Sequence, residues 1–460
     1  MRIPKLSWRH AYIVALIAGF FHLLFYAVWI PPWQFPDEPR HFEYVRLVDE
    51  LGHAPGWNER DLDLEVAITR SMAKYDFWRF GFAVGPYVPG QDVNFADVWT
   101  SGYQNVHFHP PLYYRLMAWL TGFIPLQALE TQLFLLRLIS VLIATFSLAV
   151  MGLTGVALRN WRWGFGIVVF AALLPNRAFI QASVNNDVLA EFFAAWVVTS
   201  GVVIMRRGWR AVPLVLLVGS LILAVMTKRS TVFLVFYAAA ALAVGGWFHH
   251  ASTRHGWLSK GLIVGGTLLF LALAVGAAWY AGRVQILGDR LLALLHPAAL
   301  YQALRRVPWH EYTTVMFQSF WARLGWLRIV LPSPTYHILW LLTGGAFLGW
   351  LGRLVDWWRN PSPGRAQDAS IGAVFLFTVL VQWGMVIGKE MLHFSGTLHM
   401  VPQGRYLYPF LPVYALFYVG GWEWGLRKAR LPAMTVIVVA LTLFALFAVW
   451  HTMGYFYGTG

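Results

Sequence analysis

Two adjacent carboxylates, Asp37 and Glu38, lie in a short polar stretch directly after the first apolar segment of the chain, and Arg40 and His41 follow them. A carboxylate placed here could take a proton from an acceptor group, and a general base of this kind contributes about 10²–10⁴ in rate. We predict that Asp37 and Glu38 are catalytic and that His41 lines the substrate pocket. The alternative for Asp37 is a helix N-cap, because the apolar residues after it have helical spacing and Pro39 suits a first turn.

A second polar group, Asn185-Asn186-Asp187, stands at the start of a long apolar stretch. A carboxylate at the end of a membrane span is costly unless it is paired, so an acid at this place is a candidate for function. Asn and Asp are also good helix-starting residues, which leaves capping as the alternative. We predict that Asp187 is catalytic and that Asn185 and Asn186 contribute to the substrate pocket.

Basic residues form a third group on two further turns. Lys228 and Arg229 occupy a very short turn between apolar stretches, and Arg405 lies between Gln403 and Tyr406. If both turns are outside the cell, positive charge is not what loop topology favours there. Snorkelling to lipid headgroups would explain one such residue. Two separate cationic turns instead predict a phosphate site formed by Lys228, Arg229 and Arg405, with Gln403 and Tyr406 in the adjoining pocket.

Metal ligands are sparse in the sequence. His107 and His109 are two residues apart, a spacing that could bind a metal on a strand, but no matching ligand pattern stands beside them. We therefore favour a structural or substrate-contact role for this pair over a metal site, and we place His109 in the substrate pocket. The chain has no cysteine, which excludes thiolate zinc sites, iron–sulfur clusters and a cysteine nucleophile. No cofactor is certain, and a divalent cation at Asp187 stays an open alternative.

The composition determines what kind of scaffold holds these groups. Hydrophobic residues make up 58% of the 460-residue chain and charged residues only 12%, far from the usual globular balance. This composition predicts an integral membrane protein and excludes a soluble enzyme. The formal net charge is +14, which loop orientation and contacts with anionic membrane lipids explain. No nucleic-acid motif is present, so we expect no nucleic-acid partner.

Apolar stretches of membrane-spanning length recur along the chain and predict a single all-α domain over residues 1–460 with about eleven spans. They cover residues 11–30, 132–157, 163–180, 188–205, 211–226, 231–248, 261–281, 336–352, 371–388, 406–424 and 432–454. Basic loops alternate along this series, which predicts a cytoplasmic N-terminus and a first span that acts as an uncleaved signal anchor.

Two long loops then fall on the outer side. The first, residues 31–131, should carry interfacial helices, and its segment 110–125 is too short and too interrupted by proline to be a span. The second, residues 282–335, has six arginines and two acids and could cover the site. The candidate residues all lie on this predicted outer face.

Four short motifs occur in order on that face. They are Pro36-Asp37-Glu38-Pro39 with His41-Phe42, His109-Pro110-Pro111-Leu112-Tyr113-Tyr114, Ala182-Ser183-Val184-Asn185-Asn186-Asp187, and Gln403-Gly404-Arg405-Tyr406. In this combination the chain resembles the bacterial DUF2142-type membrane proteins. These are related to the GT-C glycosyltransferases, such as protein mannosyltransferases and the aminoarabinose transferase of lipid A. The resemblance runs from the first span to about residue 412.

The resemblance implies a GT-C-like bundle in the bacterial inner (plasma) membrane with its active site on the outer face. It implies transfer of a sugar, with inversion, from a polyprenyl-phosphate donor. In that pattern Asp37 is the base, Asp187 supports the acceptor or a metal, and Lys228 and Arg405 hold the donor phosphate. The chain lacks the sizeable C-terminal soluble domain of larger relatives, so we expect a lipid or glycan acceptor.

Two other functions are compatible with the same scaffold. A transporter or flippase for lipid-linked sugars would need a continuous polar path, whereas charges within the predicted spans are few and gather at their outer ends. A non-catalytic partner subunit could have lost the carboxylates, whereas Asp37 and Asp187 are both present. Both observations favour the enzyme.

Overall fold

The computed structural model describes residues 7–80, 106–122, 128–250, 297–360, 364–393 and 402–458. Helices dominate these ranges, with one antiparallel pair of two-residue strands, β1 (Arg323–Leu324) and β2 (Ile329–Val330). In chain order the helices are α1 (Trp8–Trp29), α2 (Glu38–Leu51), α3 (Leu62–Lys74), α4 (Phe77–Phe80), α5 (Leu112–Thr121), α6 (Leu129–Leu158), α7 (Trp161–Leu173), α8 (Pro175–Gln181), α9 (Asp187–Arg207), α10 (Ala211–Thr227), α11 (Leu234–His250), α12 (Pro297–Arg306), α13 (Trp309–Trp321), α14 (Ser333–Arg359), α15 (Arg365–His393), α16 (Leu411–Lys428) and α17 (Ala433–Tyr457). Short 3₁₀ helices, Arg229–Phe233 and Gly404–Phe410, precede α11 and α16.

Seven helices among the described residues are long and apolar enough to cross a membrane. They are Trp8–Trp29, Leu129–Leu158, Asp187–Arg207, Arg229–His249, Ser333–Arg359, Arg365–Gly388 and Ala433–Tyr457. A shorter apolar helix covers Ala211–Thr227. The prediction of an all-α membrane protein is confirmed. The predicted total of about eleven spans stays a prediction, and the predicted span 261–281 lies outside the described residues.

Two predicted spans differ in detail from the structure. The stretch 163–180 is broken, because α7 and α8 meet at an angle of 71°. Leu174 between them has extended backbone angles, and Pro175 begins α8. A proline lacks the N–H needed to continue the helix and disfavours helical angles in the residue before it, which accounts for the break. The stretch 406–424 begins as a 3₁₀ helix and becomes α-helical only at Leu411.

The outer helices carry exposed apolar side chains, as expected for a surface in contact with lipid, whereas other helices are buried in the bundle. Large apolar side chains on the outer helices are exposed, among them Leu341 and Leu348 on α14 and Leu443 and Trp450 on α17. By contrast, α9 lies inside the bundle, packed against α6, α10 and α11. Exposed apolar area of this extent suits hydrocarbon, not water.

Short helices cover the end of the bundle where α1 finishes and α9 starts. The ten-residue α5 packs against α2 and buries Tyr113, Tyr114 and Met117. It is far below the roughly 20 residues needed to span a bilayer. The predicted segment 110–125 extends beyond the described residues, and its interfacial placement stays a prediction. Here α2 and α5 position the first acidic group and the histidines.

Candidate active site

Four side chains named in the sequence analysis form one series of ion pairs. Arg405 Nη2 lies 2.8 Å from Asp37 Oδ2, and Arg405 Nη1 lies 3.7 Å from Asp187 Oδ2. Lys228 Nζ donates a hydrogen bond to Asp187 Oδ1. We call Asp37, Arg405, Asp187 and Lys228 the charged network. Its members alternate in sign and were predicted separately as two acids and two phosphate-binding cations.

Each member of the network comes from a different segment. Asp37 directly precedes α2, Asp187 is the first residue of α9, Lys228 is the C-cap of α10, and Arg405 lies in the 3₁₀ helix before α16. An acid at a helix N-terminus and a cation at a helix C-terminus both complement the helix dipole. The dipoles of α9 and α10 therefore favour the charges of Asp187 and Lys228.

Asp37 occupies the predicted N-cap position of α2 but does not cap it. Within the described part of the chain its carboxylate makes no cap hydrogen bond, and its backbone is left-handed, with φ of 62°. Left-handed geometry costs a non-glycine residue energy and persists where surrounding contacts impose it. The carboxylate turns instead to Arg405 and to Arg40, whose Nη1 is 3.5 Å from Asp37 Oδ1. Capping does not explain this residue.

The network holds its acids ionised. Burial raises the pKa of Asp37, but Arg405, Arg40 and His41 lower it by more, so the carboxyl pKa lies well below its usual range. Burial lowers the pKa of the Arg405 guanidinium, but Asp37 and Asp187 raise it by more. A carboxylate with such a low pKa is a weak base.

Several buried polar atoms around the network have no hydrogen-bond partner among the described residues. They are Arg405 Nε and Nη1, Asp187 Oδ2, Asn185 Nδ2 and Asn186 Oδ1. The four residues are each at most 7% exposed. An unsatisfied buried polar group costs about 1–3 kcal/mol, and such atoms are rare in folded proteins. Two of the five, Arg405 Nη1 and Asp187 Oδ2, face each other at 3.7 Å in an ion pair, and the other three keep hydrogen-bonding capacity that a polar ligand could use.

The two asparagines hold the start of α9 with their other atoms. Asn185 Oδ1 accepts a hydrogen bond of 2.9 Å from the Asp187 backbone N–H, and Asn186 Nδ2 donates to the Thr227 carbonyl over 3.4 Å. The second contact ties α9 to the end of α10, beside Lys228. The structure thus brings both predicted pocket residues to the network.

Glu38 has different surroundings from Asp37. It is fully buried, and its two oxygens accept hydrogen bonds from Arg137 Nε at 2.9 Å and Arg137 Nη2 at 2.6 Å. The backbone N–H groups of Trp33 and Val184 donate to the same carboxylate over 3.2 and 3.3 Å. Arg137 also donates to the carbonyls of Ala27, Ile30 and Pro31. Glu38 therefore joins the end of α1, α6 and the loop that carries Asp187.

The sequence analysis missed the role of Arg137. An arginine inside a stretch as apolar as 132–157 was the available signal, because a charge within a span requires a partner. A second pair was missed for the same reason. Arg177 of α8 contacts Glu191 of α9 with its Nη2 2.5 Å from Glu191 Oε1, and Gln181 and Ser147 also donate to Glu191. This pair fixes the bent segment α7–α8 against α9.

The predicted pocket histidines lie together. His41 Nδ1 is 2.8 Å from the Tyr114 hydroxyl oxygen, and the rings of His41 and His109 are stacked with centroids 6.0 Å apart. Burial lowers the pKa of His41 to about 3, although Asp37 raises it in part. The imidazole is therefore neutral at ordinary pH and can exchange hydrogen bonds with a hydroxyl group. Tyr114 was not predicted individually, but it stands in the motif that contains His109.

Close packing against α13 sets the position of Arg405. The Gly404 N–H donates to Ser319 Oγ over 2.8 Å, and a Cβ atom on Gly404 would collide with the backbone of Ser319 and Phe320. Only glycine fits this approach. The described part of the predicted second outer loop therefore supports the network directly.

The remaining predicted residues lie at the margin. Arg229 is exposed, whereas the adjacent Lys228 is buried. Gln403 is half-buried, and its carbonyl accepts a hydrogen bond from the Tyr406 N–H over 3.1 Å. Gln382 donates to the Tyr406 carbonyl over 3.0 Å. These hydrogen bonds shape the turn around Arg405, whose guanidinium carbon lies 6.0 Å from the centroid of the Tyr406 ring.

The donor set at Asp187 does not fit a divalent cation. Within the described ranges, no group of three or more His, Asp and Glu side chains is placed to hold a metal ion. The two Asp187 oxygens face Lys228 and Arg405, and both of these side chains are positive. We therefore derive no chemical step through a metal.

Comparison of the chain with protein-family models and with curated proteins finds no match in either case. The resemblance to GT-C-related membrane proteins thus rests on the four motifs alone. The geometry adds an observation independent of that resemblance, since residues of all four motifs meet at one end of the bundle.

Proposed function

We propose that the protein is a GT-C-type membrane glycosyltransferase with a GT-C-like bundle. It transfers a sugar from a polyprenyl-phosphate donor to a lipid or glycan acceptor. The observation that carries the proposal is the charged network, in which two buried cations are held by two carboxylates while nitrogen and oxygen atoms beside them have no partner among the described residues. We place this site on the outer face of the bacterial inner membrane, with the N-terminus in the cytoplasm.

The charges around the network are balanced. Arg405, Lys228 and Arg40 supply three positive charges, and Asp37, Asp187 and Glu43, which interacts with Arg40, supply three negative charges. A sugar phosphodiester, which carries one negative charge, would therefore bind by taking the place of Asp37 at Arg405. The Arg405 N–H groups without a partner supply donors for its oxygens, and hydrogen bonds between charged groups are among the strongest in proteins.

Donor binding then prepares the base. When the phosphate engages Arg405, Asp37 loses the partner that contributes most to its low pKa, and its pKa rises towards the ordinary value. Asp37 accepts the proton of the acceptor hydroxyl as that oxygen bonds to the anomeric carbon from the face opposite the phosphate. The bond from the anomeric carbon to the phosphate oxygen breaks, and its electron pair leaves with polyprenyl phosphate. The product therefore has inverted configuration.

The other residues support this step. Arg405 and Lys228 stabilise the second negative charge that the leaving phosphate acquires, so they bind the transition state better than the ground state. Asp187 holds the two cations in place. Neutral His41 and the adjacent His109 ring contact hydroxyl groups of the acceptor or sugar. Glu38 acts as a positioning residue, because Arg137 and two backbone N–H groups already occupy its oxygens.

The test is a transfer assay on purified full-length protein with a panel of polyprenyl-phosphate sugars, scored by released polyprenyl phosphate. We expect release with at least one donor, and its loss in Asp37→Asn. Asp49→Asn is the matched control, since Asp49 is an exposed residue of α2 and pairs only with half-buried Arg46 among the contacts described. Movement of intact donor across a vesicle membrane, without release in any donor or acceptor combination, would instead identify a flippase.

A further inference from the structure

A second cluster of charges lies at the opposite end of the bundle from the charged network. Glu423 of α16 is buried, and three arginines converge on its carboxylate. Arg162 Nη2 is 2.8 Å from Glu423 Oε1, Arg353 Nη2 is 3.5 Å from Oε2, and Arg427 Nη1 is 3.8 Å from Oε1. They belong to the start of α7 and to the final turns of α14 and α16. We call Glu423, Arg162, Arg353 and Arg427 the arginine cluster.

Helix packing brings these side chains together. Helices α14 and α16 pack closely at Gly349 and Gly421, where an added Cβ atom would collide with the backbone of the opposite helix. Small residues allow membrane helices to approach in this way. Arg353, one turn beyond Gly349, then donates to the Gly420 carbonyl over 3.0 Å as well as to Glu423. The guanidinium groups are thus held by the fold.

The cluster has more positive charge than its carboxylate can balance. Three guanidinium groups share one negative charge, an excess of two. Arg162 Nε and Arg353 Nε are buried and have no hydrogen-bond partner among the described residues. The side chains of Arg162 and Arg353 are still 27% and 22% exposed, so an anion can reach them. These groups have the chemistry of a phosphate site.

The surroundings of the cluster are those of a membrane interface. Arg353 lies over the rings of Trp163 and Trp350, with 5.2 and 5.5 Å from its guanidinium carbon to the ring centroids. Leu351 and Leu354 on the same helix are exposed apolar side chains. Tryptophan and arginine at this level, next to exposed apolar side chains, suit a ligand with a charged head and apolar tails.

We propose that the arginine cluster binds the phosphate headgroup of an anionic phospholipid. Arg162 and Arg353 hold the phosphate oxygens, Glu423 fixes the orientation of both guanidinium groups, and the acyl chains lie along the exposed apolar side of α14. The site is separate from the charged network, and its occupancy does not depend on the transfer reaction.

The test titrates the purified full-length protein with phosphatidylglycerol or phosphatidylcholine and counts bound lipids by native mass spectrometry. We expect the wild type to bind phosphatidylglycerol about 10-fold or more tighter than phosphatidylcholine. The double variant Arg162→Gln/Arg353→Gln should lose that preference. The variant Arg359→Gln should keep it, because Arg359 is exposed in the last turn of α14 and is not among the arginines that contact Glu423.

Two controls separate lipid binding from misfolding of a variant and from binding of free phosphate. The variant Arg162→Lys/Arg353→Lys retains the charge and should restore part of the preference, even if the glutamine variant folds poorly. Inorganic phosphate is titrated separately, with thermal unfolding as the readout. Stabilisation by phosphate alone, without a lipid preference, would overturn the lipid assignment. Equal binding of the two lipids by the wild type, or an unchanged preference in the glutamine variant, would overturn the site.

Discussion

Asp37 and Glu38 are neighbours in the chain, yet their carboxylates lie in opposite kinds of environment. Both carboxylate oxygens of Glu38 accept hydrogen bonds. Arg137 donates to each of them, and each also accepts from one backbone N–H group. Around Asp37 the cations are shared, because Arg405 divides its guanidinium between Asp37 and Asp187. Buried atoms of Arg405 and Asp187 have no hydrogen-bond partner among the described residues.

This difference separates a structural pair from a ligand site. A buried ion pair with complete hydrogen bonding has no capacity left for a ligand, and breaking it leaves an uncompensated charge. An incompletely bonded network retains donors and acceptors that a ligand can use, at some cost in stability. We therefore propose a structural role for Glu38 and a chemical role for Asp37, and the following experiments distinguish the two roles.

The largest effect is expected at the satisfied pair. Glu38→Gln leaves Arg137 buried without its counter-charge, and breaking a buried pair costs about 3–5 kcal/mol. We expect a large fall in the unfolding temperature of the purified protein, and a similar fall in Arg137→Gln. If Glu38→Gln kept the wild-type unfolding temperature but lost transfer activity, Glu38 would have a catalytic role, and the proposed difference between Glu38 and Asp37 would be wrong.

Asp37→Asn should act on activity and not on the fold. The amide cannot accept the acceptor's proton, so the transfer rate should fall by about 10²–10⁴. The unfolding temperature should change little, since Arg405 keeps Asp187 as a partner. The transfer rate and the unfolding temperature are measured on the same preparation of each variant, with Asp49→Asn as the control, to separate loss of activity from loss of stability. A rate within a few-fold of wild type would exclude Asp37 as the base.

The sequence allowed us to predict which charged residues lie close together, because acids and cations in a very apolar chain are few and must have partners. Asp37, Asp187, Lys228 and Arg405 all stand at the ends of apolar stretches, and the structure brings them together. The sequence did not reveal that the acids would hold the cations. That pairing depends on four segments separated by as much as 368 residues, and no local pattern encodes it.

For the fold, too, local features of the sequence were predictive, whereas contacts between distant segments were not. Apolar length predicted membrane helices well, since a span must satisfy its backbone internally. It overlooked the break before Pro175, although proline is a local signal, because the apolar run continues through it. The partners of Arg137 and Arg177 depend on tertiary packing, so the sequence showed two costly charges without showing what balances them.

Lys228 and Arg229 provide a matched pair of adjacent cations with different burial. Lys228→Ala should weaken binding of a short-chain polyprenyl phosphate by about 10-fold or more, because it removes a charged contact inside the network. Arg229→Ala should have a much smaller effect, since that side chain is exposed. Affinity is measured by titration calorimetry in detergent. Equal losses in both variants would indicate a diffuse electrostatic effect and not a defined phosphate site.

A separate effect concerns pH. The folded-state pKa of His41, about 3, lies below the ordinary histidine value of about 6.5. The unfolded chain therefore binds a proton between these values that the folded chain does not, and the stability due to neutral His41 decreases as pH falls through this window. Unfolding temperatures at several pH values should show this slope, and His41→Gln should reduce it. An identical slope in the variant would assign the effect to other groups.

The most direct test of the account is the affinity of a short-chain polyprenyl phosphate for three proteins: wild type, Arg405→Ala and Asp37→Asn. If phosphate and Asp37 compete for Arg405, Arg405→Ala should bind about 10- to 100-fold more weakly than wild type, whereas Asp37→Asn should bind at least as tightly. Lysine at position 405 should restore only part of the loss. Equal affinity in all three proteins, or weaker binding by Asp37→Asn, would contradict the exchange of partners at Arg405.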